Sequence, residues 1–128
     1  MNILADTHIL LWSLYDEKKL SDPAREYLMD ENNRVYYSLI SIWEVEIKYN
    51  LGKLPVSSDE LLKDCDYMGF LTLNLKKEHI TGLKELRKAN YSHKDPFDRL
   101  LLAQALSENF YFLTQDDKIL QYPSELIL

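Results

Sequence analysis

An alternation of short apolar runs with helical patterns predicts an α/β protein, specifically a three-layer α/β/α sandwich around a central, mainly parallel sheet. Strand-like runs at residues 3–5, 35–39 and 111–114 are each followed by helical pattern, as the crossovers of a parallel sheet require. The 128 residues, 46% of them hydrophobic, suffice for one compact domain with its own core and leave no room for a second. Nor does any repeat, low-complexity tract or linker divide the chain.

Residues 2–5 read as a buried strand and residues 7–15 as a helix with Ile9, Leu10, Leu11 and Leu14 inward, which leaves Asp6 at the strand-to-helix junction. Ser21, Asp22 and Pro23 start a second helix that runs through Met29 until Glu31, Asn32 and Asn33 break it. A second strand follows at residues 35–40. Ser41 opens the next helix, where Ile42, Val45, Ile47 and Leu51 recur at near-helical spacing, and Gly52 and Pro55 stop it. Ser57 or Ser58 caps a helix over residues 60–67, Gly69 turns the chain, and residues 70–75 alternate as a half-buried strand. Residues 76–88 return to helix. After a polar loop at residues 90–94, Asp95 precedes Pro96, a residue suited to the first helical turn, and a strongly apolar helix follows. The strand at residues 111–114, a short turn or helix at residues 115–121 and an apolar edge strand at residues 125–128 complete the chain. The order of the strands is not legible in these patterns.

The charge of −6 argues against a protein that holds nucleic acid chiefly by a basic surface, unless some of its 21 acids surround a cation that reverses the local field. The single cysteine, Cys65, has no internal disulfide partner, and the start MNILADTHILLW carries Asp6 and His8 rather than a basic leader. These features predict a reduced, cytoplasmic protein. No apolar run approaches the ~20 residues that would cross a bilayer.

Four acids, Asp6, Glu44, Asp98 and Asp116, each fall where a strand ends or a helix begins. In parallel sheets the carboxyl edge of the strands is where ligands bind. Helix capping competes as an explanation for each: Ser41 and Glu44 form a capping box, Asp95 is placed to cap the helix at Pro96 with Asp98 at its third position, and Asp116 and Asp117 suit a turn. Asp6 is harder to dismiss, because it sits among apolar residues with no Lys or Arg within ten positions. A cation from elsewhere in the fold is the competing account. Were all four carboxylates about 5 Å apart, each pair would repel by about 3 kcal/mol at an effective dielectric near 20, or on the order of 15 to 20 kcal/mol together. Ionised acids in such a site require a divalent cation or partial protonation. Oxygen-only ligands favour Mg²⁺, with Mn²⁺ as a substitute, whereas zinc's usual ligands would have to come from Cys65, His8, His79 and His93, which show no ligand spacing. Such an ion orients water and steadies phosphoryl charge, so phosphodiester hydrolysis is the natural reaction.

Around these acids the segments LADTHILLW, SIWEVEIKYNLGKL, HKDPFDRLLLAQAL and FLTQDDKILQYP resemble, in order and spacing, the PIN-domain family and in particular its VapC-like ribonuclease toxins. The resemblance spans the chain. It implies a parallel sheet flanked by helices, an acidic Mg²⁺ site, endonucleolytic cleavage of RNA, homodimerisation and inhibition by a cognate antitoxin. Carried over by position, it makes Asp6 and Asp98 the main metal ligands, with Glu44 and Asp116 completing the site or holding its waters. Thr114 matches a hydroxyl that supports the site, Asp95 is a further candidate for assistance, and Asp117 contests the place of Asp116. Lys48, Lys53, Lys94 and Arg99 lie beside these segments as RNA-backbone contacts or, more simply, as solvated surface. Trp12 and Trp43 read as core rather than as base-stacking platforms, and Tyr49 and Tyr91 are undecided.

Two other functions fit part of this pattern. A phosphoryl-transfer domain of receiver or small-phosphatase type also places Asp at strand ends, although small phosphatases want an acid two residues after the nucleophile, where this chain has His8. A non-catalytic binding module would keep the acids and act only through a partner.

Overall fold

The computed structural model describes all residues from Met1 to Leu128. Its centre is a sheet of β1 (Asn2–Ala5), β2 (Arg34–Ser38), β3 (Leu71–Leu73) and β4 (Tyr111–Leu113), in the order β3-β2-β1-β4 and parallel throughout. Helices α1 (Thr7–Tyr15), α2 (Asp22–Met29), α3 (Leu39–Asn50), α4 (Ser58–Tyr67), α5 (Lys77–Thr81), α6 (Leu83–Lys88), α7 (Pro96–Glu108) and α8 (Asp117–Leu120) surround it. The strands bury both faces. Leu4, Leu73 and Phe112 pack with Leu86, Leu101 and Leu102 on one side, while Ile3, Ala5, Val35 and Leu113 pack with Ile9, Leu20 and Ala24 on the other. This alternation between two cores is what makes the three layers, as the sequence predicts.

The sheet order places a switch point between β1 and β4, because the chain leaves β1 toward β2 on one side and returns to β4 on the other. Loops leaving the carboxyl ends of two such strands diverge and open a crevice between them. Asp6 follows β1 and Thr114 follows β4 at that crevice, and the Asp6 N–H donates to the Leu113 carbonyl at 3.0 Å.

Four local expectations need correction. Helix α3 starts earlier than Ser41: Ser38 is its N-cap, accepting from the Ile40 N–H at 3.0 Å, so Ser41 and Glu44 lie inside the helix and form no capping box. The helix expected over residues 76–88 is two helices broken at Gly82, where an added Cβ would stand 3.0 Å from the Glu78 carbonyl oxygen. The strand of residues 70–75 shortens to β3. Instead of a terminal strand, residues 125–128 contribute one parallel bridge, Ile127 to Phe112. Gly52 and Gly69 do adopt the left-handed conformation, at φ of +74° and +78°, that their turns require.

Candidate metal centre

Each acid at the sheet edge is delivered by a different local device. Asp6 caps α1: its Oδ1 accepts from the Ile9 N–H at 2.7 Å, while Oδ2 accepts from the Thr114 hydroxyl. Asp95 caps α7 by accepting from the Asp98 N–H at 3.0 Å, which sets Asp98 in the first turn. Asp116 caps α8, accepting from the Lys118 N–H at 2.9 Å, and its own N–H donates to Thr114 Oγ1 at 3.1 Å. Thr114 therefore links the first and fourth acids. Capping and convergence are not alternatives here, since three of the four acidic segments use the cap to aim a carboxylate.

Glu44 differs from the rest. Buried in the body of α3, it accepts from the Thr7 hydroxyl at 2.7 Å through Oε1 and is paired by Lys48 Nζ at 2.6 Å through Oε2. Thr7 in turn shares a 2.8 Å bond with Ser41. The anticipated repulsion among four like charges is thus smaller than four bare carboxylates would give, because one carries its own cation. Asp6 has no such partner. At 3% exposure its carboxyl is pushed up to about 6, first by burial and further by the charge of Asp98, against the bonds from Ile9 and Thr114 and the charge of nearby His8. Burial also raises Asp98, reinforced by Asp95 and Glu44 and opposed by its hydrogen bond to His93.

Asp6 and Asp116 line one open cleft of about 180 Å³ together with His8, Trp12 and Gln115. The donor atoms that lie within 4.8 Å of one another belong to His93, Asp98 and Asp116, a set that includes a histidine which ligand spacing in the sequence did not single out. His93 Nε2 is 2.8 Å from Asp98 Oδ2. Asp117 sits exposed in the first turn of α8, outside this group.

The neighbouring residues also depart from expectation. Arg99 is half-buried and partly committed: its Nη1 donates to the carbonyls of Tyr91 at 3.1 Å and His93 at 2.9 Å, and its guanidinium lies over the Tyr91 ring. Lys48 is committed to Glu44. Trp43 is not core, being 56% exposed with its ring edge-on to Phe97, and Trp12 is half-buried on the cleft wall. Tyr91 contributes the one buried side-chain polar atom without a partner, its hydroxyl, and burial with the charges of Asp98 and Asp116 pushes that group up to about 12.

The family model described as "PIN domain" matches residues 3–125. The chain belongs to the PIN domain family. Solved structures that share its fold include a chain of the Rickettsia felis VapBC2 complex bound to a promoter DNA fragment, at TM-score 0.72 and 18% identity over 100% of this chain and 98% of that one. Others are DNA-bound VapBC of Salmonella typhimurium, at TM-score 0.70 and 14% identity over 100% and 97% of the two chains, and a toxin–antitoxin complex of Klebsiella pneumoniae, at 0.62 and 22% over 98% and 95%. No curated protein sequence gives a significant match. As a PIN domain the chain has a donor set suited to a divalent cation: Asp6 is buried with neutral partners only, and the Asp98 and Asp116 carboxylates converge without a lysine or arginine between them. No helix of the chain is long and apolar enough to cross a membrane.

Proposed function

We propose that this PIN domain, as a single unit of 128 residues, is a metal-dependent endoribonuclease that hydrolyses RNA phosphodiester bonds, acts as the toxin of a toxin–antitoxin pair and is held inactive by a cognate antitoxin. The observation that supports the reading is a buried carboxylate, Asp6, pushed up to about 6 with no lysine or arginine paired to it, lining one cleft with Asp116 and within the field of Asp98 at the sheet's switch point. In this reading Asp6, Asp98 and Asp116 hold Mg²⁺, or Mn²⁺ in its place. The ion supplies Lewis acidity toward a phosphate oxygen and lowers the pKa of a water. Thr114 fixes the orientation of Asp6 through its hydroxyl and that of Asp116 through the Asp116 N–H. Glu44, held by Thr7 and Lys48, accepts or orients water at the margin of the site rather than adding a fourth bare charge. Asp95 acts by presenting Asp98.

The toxin role rests on the family together with the fold shared with proteins crystallised as VapBC and toxin–antitoxin complexes. Homodimerisation is proposed on the apolar edge that Leu39 and Trp43 expose on one face of α3. The test is direct: with purified protein and Mg²⁺, total RNA is cut by the parent and left intact by Asp6→Asn and Asp98→Asn. Equal cleavage by parent and variants would overturn the assignment. Phosphorylation of Asp6 by a small phosphoryl donor would instead revive the receiver or phosphatase reading. Failure to bind Mn²⁺ at millimolar concentration would leave a non-catalytic binding module.

A further inference from the structure

We infer that His93 is a direct nitrogen ligand of the divalent cation, so that the centre has a mixed imidazole and carboxylate donor set and selects Mn²⁺ over Mg²⁺. The inference rests on the metal site proposed above and adds the element that site prefers.

The loop carrying His93 is built to hold it in place. Arg99, in the second turn of α7, donates to the carbonyls of both Tyr91 and His93, and the Tyr91 N–H donates to the Leu86 carbonyl at 3.1 Å, so the loop is tied at both of its sides. The Tyr91 ring is packed between the Arg99 guanidinium, 5.5 Å from its centroid, and the Tyr122 ring at 5.2 Å. The consequence is an imidazole with little freedom whose Nε2 faces Asp98 Oδ2 at 2.8 Å and shares a 4.8 Å neighbourhood with an Asp116 oxygen.

That contact serves two states. Without a cation, the imidazole N–H donates to the carboxylate. Adjacent donors about a six-coordinate cation stand roughly 3 Å apart, so Nε2 and Oδ2 already have a spacing that one ion can bridge once the Nε2 proton is lost and the ring turns its lone pair off the line to Oδ2. Oxygen-only sites suit Mg²⁺ and Mn²⁺ alike, whereas an imidazole donor is accepted more readily by a first-row transition ion than by Mg²⁺, which shifts the balance between the two toward Mn²⁺. His8 is the competing nitrogen, because it lines the cleft beside Asp6, but its ring is exposed and is not part of the group formed with Asp98 and Asp116.

The experiment reads the metal itself. Mn²⁺ bound to the full chain is examined by pulsed electron paramagnetic resonance for ¹⁴N coupling from a coordinated imidazole, and Mn²⁺ and Mg²⁺ affinities are measured by titration calorimetry. The expected result is an imidazole ¹⁴N signal that persists in His8→Gln and vanishes in His93→Gln, with Mn²⁺ binding at least about tenfold tighter than Mg²⁺ in the parent and losing roughly tenfold in His93→Gln. Should His93→Gln fail to fold, His8→Gln protein labelled with ¹⁵N-histidine, in which His93 is the only histidine not fully buried, must replace the ¹⁴N pattern by a ¹⁵N pattern. Mn²⁺ bound without a nitrogen signal, or a signal lost only in His8→Gln, overturns the inference while leaving the nuclease reading intact. A nitrogen-ligated Mn²⁺ in a protein that cuts no RNA does the reverse.

Discussion

Ser38, Gln104 and His79 form one buried polar cluster and the buried acid Asp6 belongs to another at the sheet edge, yet the two are compensated in opposite ways. In the first, Ser38 donates to Gln104 Oε1, Gln104 Nε2 lies 3.3 Å from His79 Nδ1, the Lys76 N–H donates to the same nitrogen at 3.1 Å, and His79 Nε2 meets Glu108 at 2.8 Å. Lys76 Nζ closes the chain on Glu108 at 3.1 Å. Each polar side chain of the cluster has a partner within it, and the one net acid meets both His79 and a cation: the His79 bond, with Lys76, holds Glu108 below the usual carboxylate range. At the sheet edge, by contrast, the bonds to Asp6 come from neutral groups, and no lysine or arginine pairs with it. A polar cluster that is complete in itself reads as structure, because it needs nothing from solution. One left with surplus negative charge reads as a binding site, because only a ligand can complete it.

The sharpest way to break this comparison is at Asp116, which belongs to the incomplete cluster while its neighbour Asp117 does not. In Mg²⁺, Asp116→Asn is expected to slow RNA cleavage by at least about a hundredfold, as loss of a ligand or of a group ordering the site would. Asp117→Asn is the internal control and should cleave like the parent.

A smaller effect, on stability, follows from Asp6. Its carboxyl ionises near 3.8 in the unfolded chain and near 6 in the folded one, so between those values the folded state holds the extra proton. In metal-free protein, the contribution of Asp6 to stability is therefore greatest below about pH 4, falls as pH rises toward 6 and then levels off, at a cost of about 3 kcal/mol by pH 7 relative to Asp6→Asn. Urea denaturation across this range in chelator should show that decline. Asp6→Asn should flatten it and raise metal-free stability at pH 7 by up to about 3 kcal/mol, and saturating Mn²⁺ should raise only the parent. A parent that instead gains stability relative to Asp6→Asn between pH 4 and 6 would place Asp6 among compensated acids.

The complete cluster should respond with the other sign. Gln104→Leu strands the Ser38 hydroxyl in the core and is expected to cost about 2 kcal/mol at any pH, read as a lowered urea midpoint with unchanged slope. The smallest effect belongs to Lys48→Gln. Removing the partner of Glu44 should cost about 1 kcal/mol in metal-free protein, since the lysine is a third exposed. If Lys48→Gln were neutral in stability, Glu44 would join the uncompensated acids and the count of free charges at the site would return to four.

The segments whose signals are local were legible. β1 and α1 follow from an apolar run meeting helical spacing at Asp6, and the Asp95-Pro96 pair announces α7 with Asp98 in its first turn. Where two local signals compete, tertiary packing chose. Ser38 rather than Ser41 caps α3, with Ser41 buried against Thr7, and Gly82 splits the predicted long helix where an added Cβ would crowd the Glu78 carbonyl. Glu44 and Lys48 stand four apart on one helix, so their pairing is a local signal, whereas Arg99 could not be assigned from sequence, since nothing local distinguishes a guanidinium tying a loop from one in solvent.

What the sequence determined by itself is the inventory: an α/β alternation, acids at element boundaries and an apolar surround that makes Asp6 costly to leave unpartnered, all consequences of chemistry within a turn or two of chain. What only the tertiary structure decided is which charges meet. The switch point between β1 and β4, the Thr114 hydroxyl that reaches Asp6 and the Thr7 hydroxyl that reaches Glu44 each depend on distances between residues remote in the chain, and electrostatics acts through those distances.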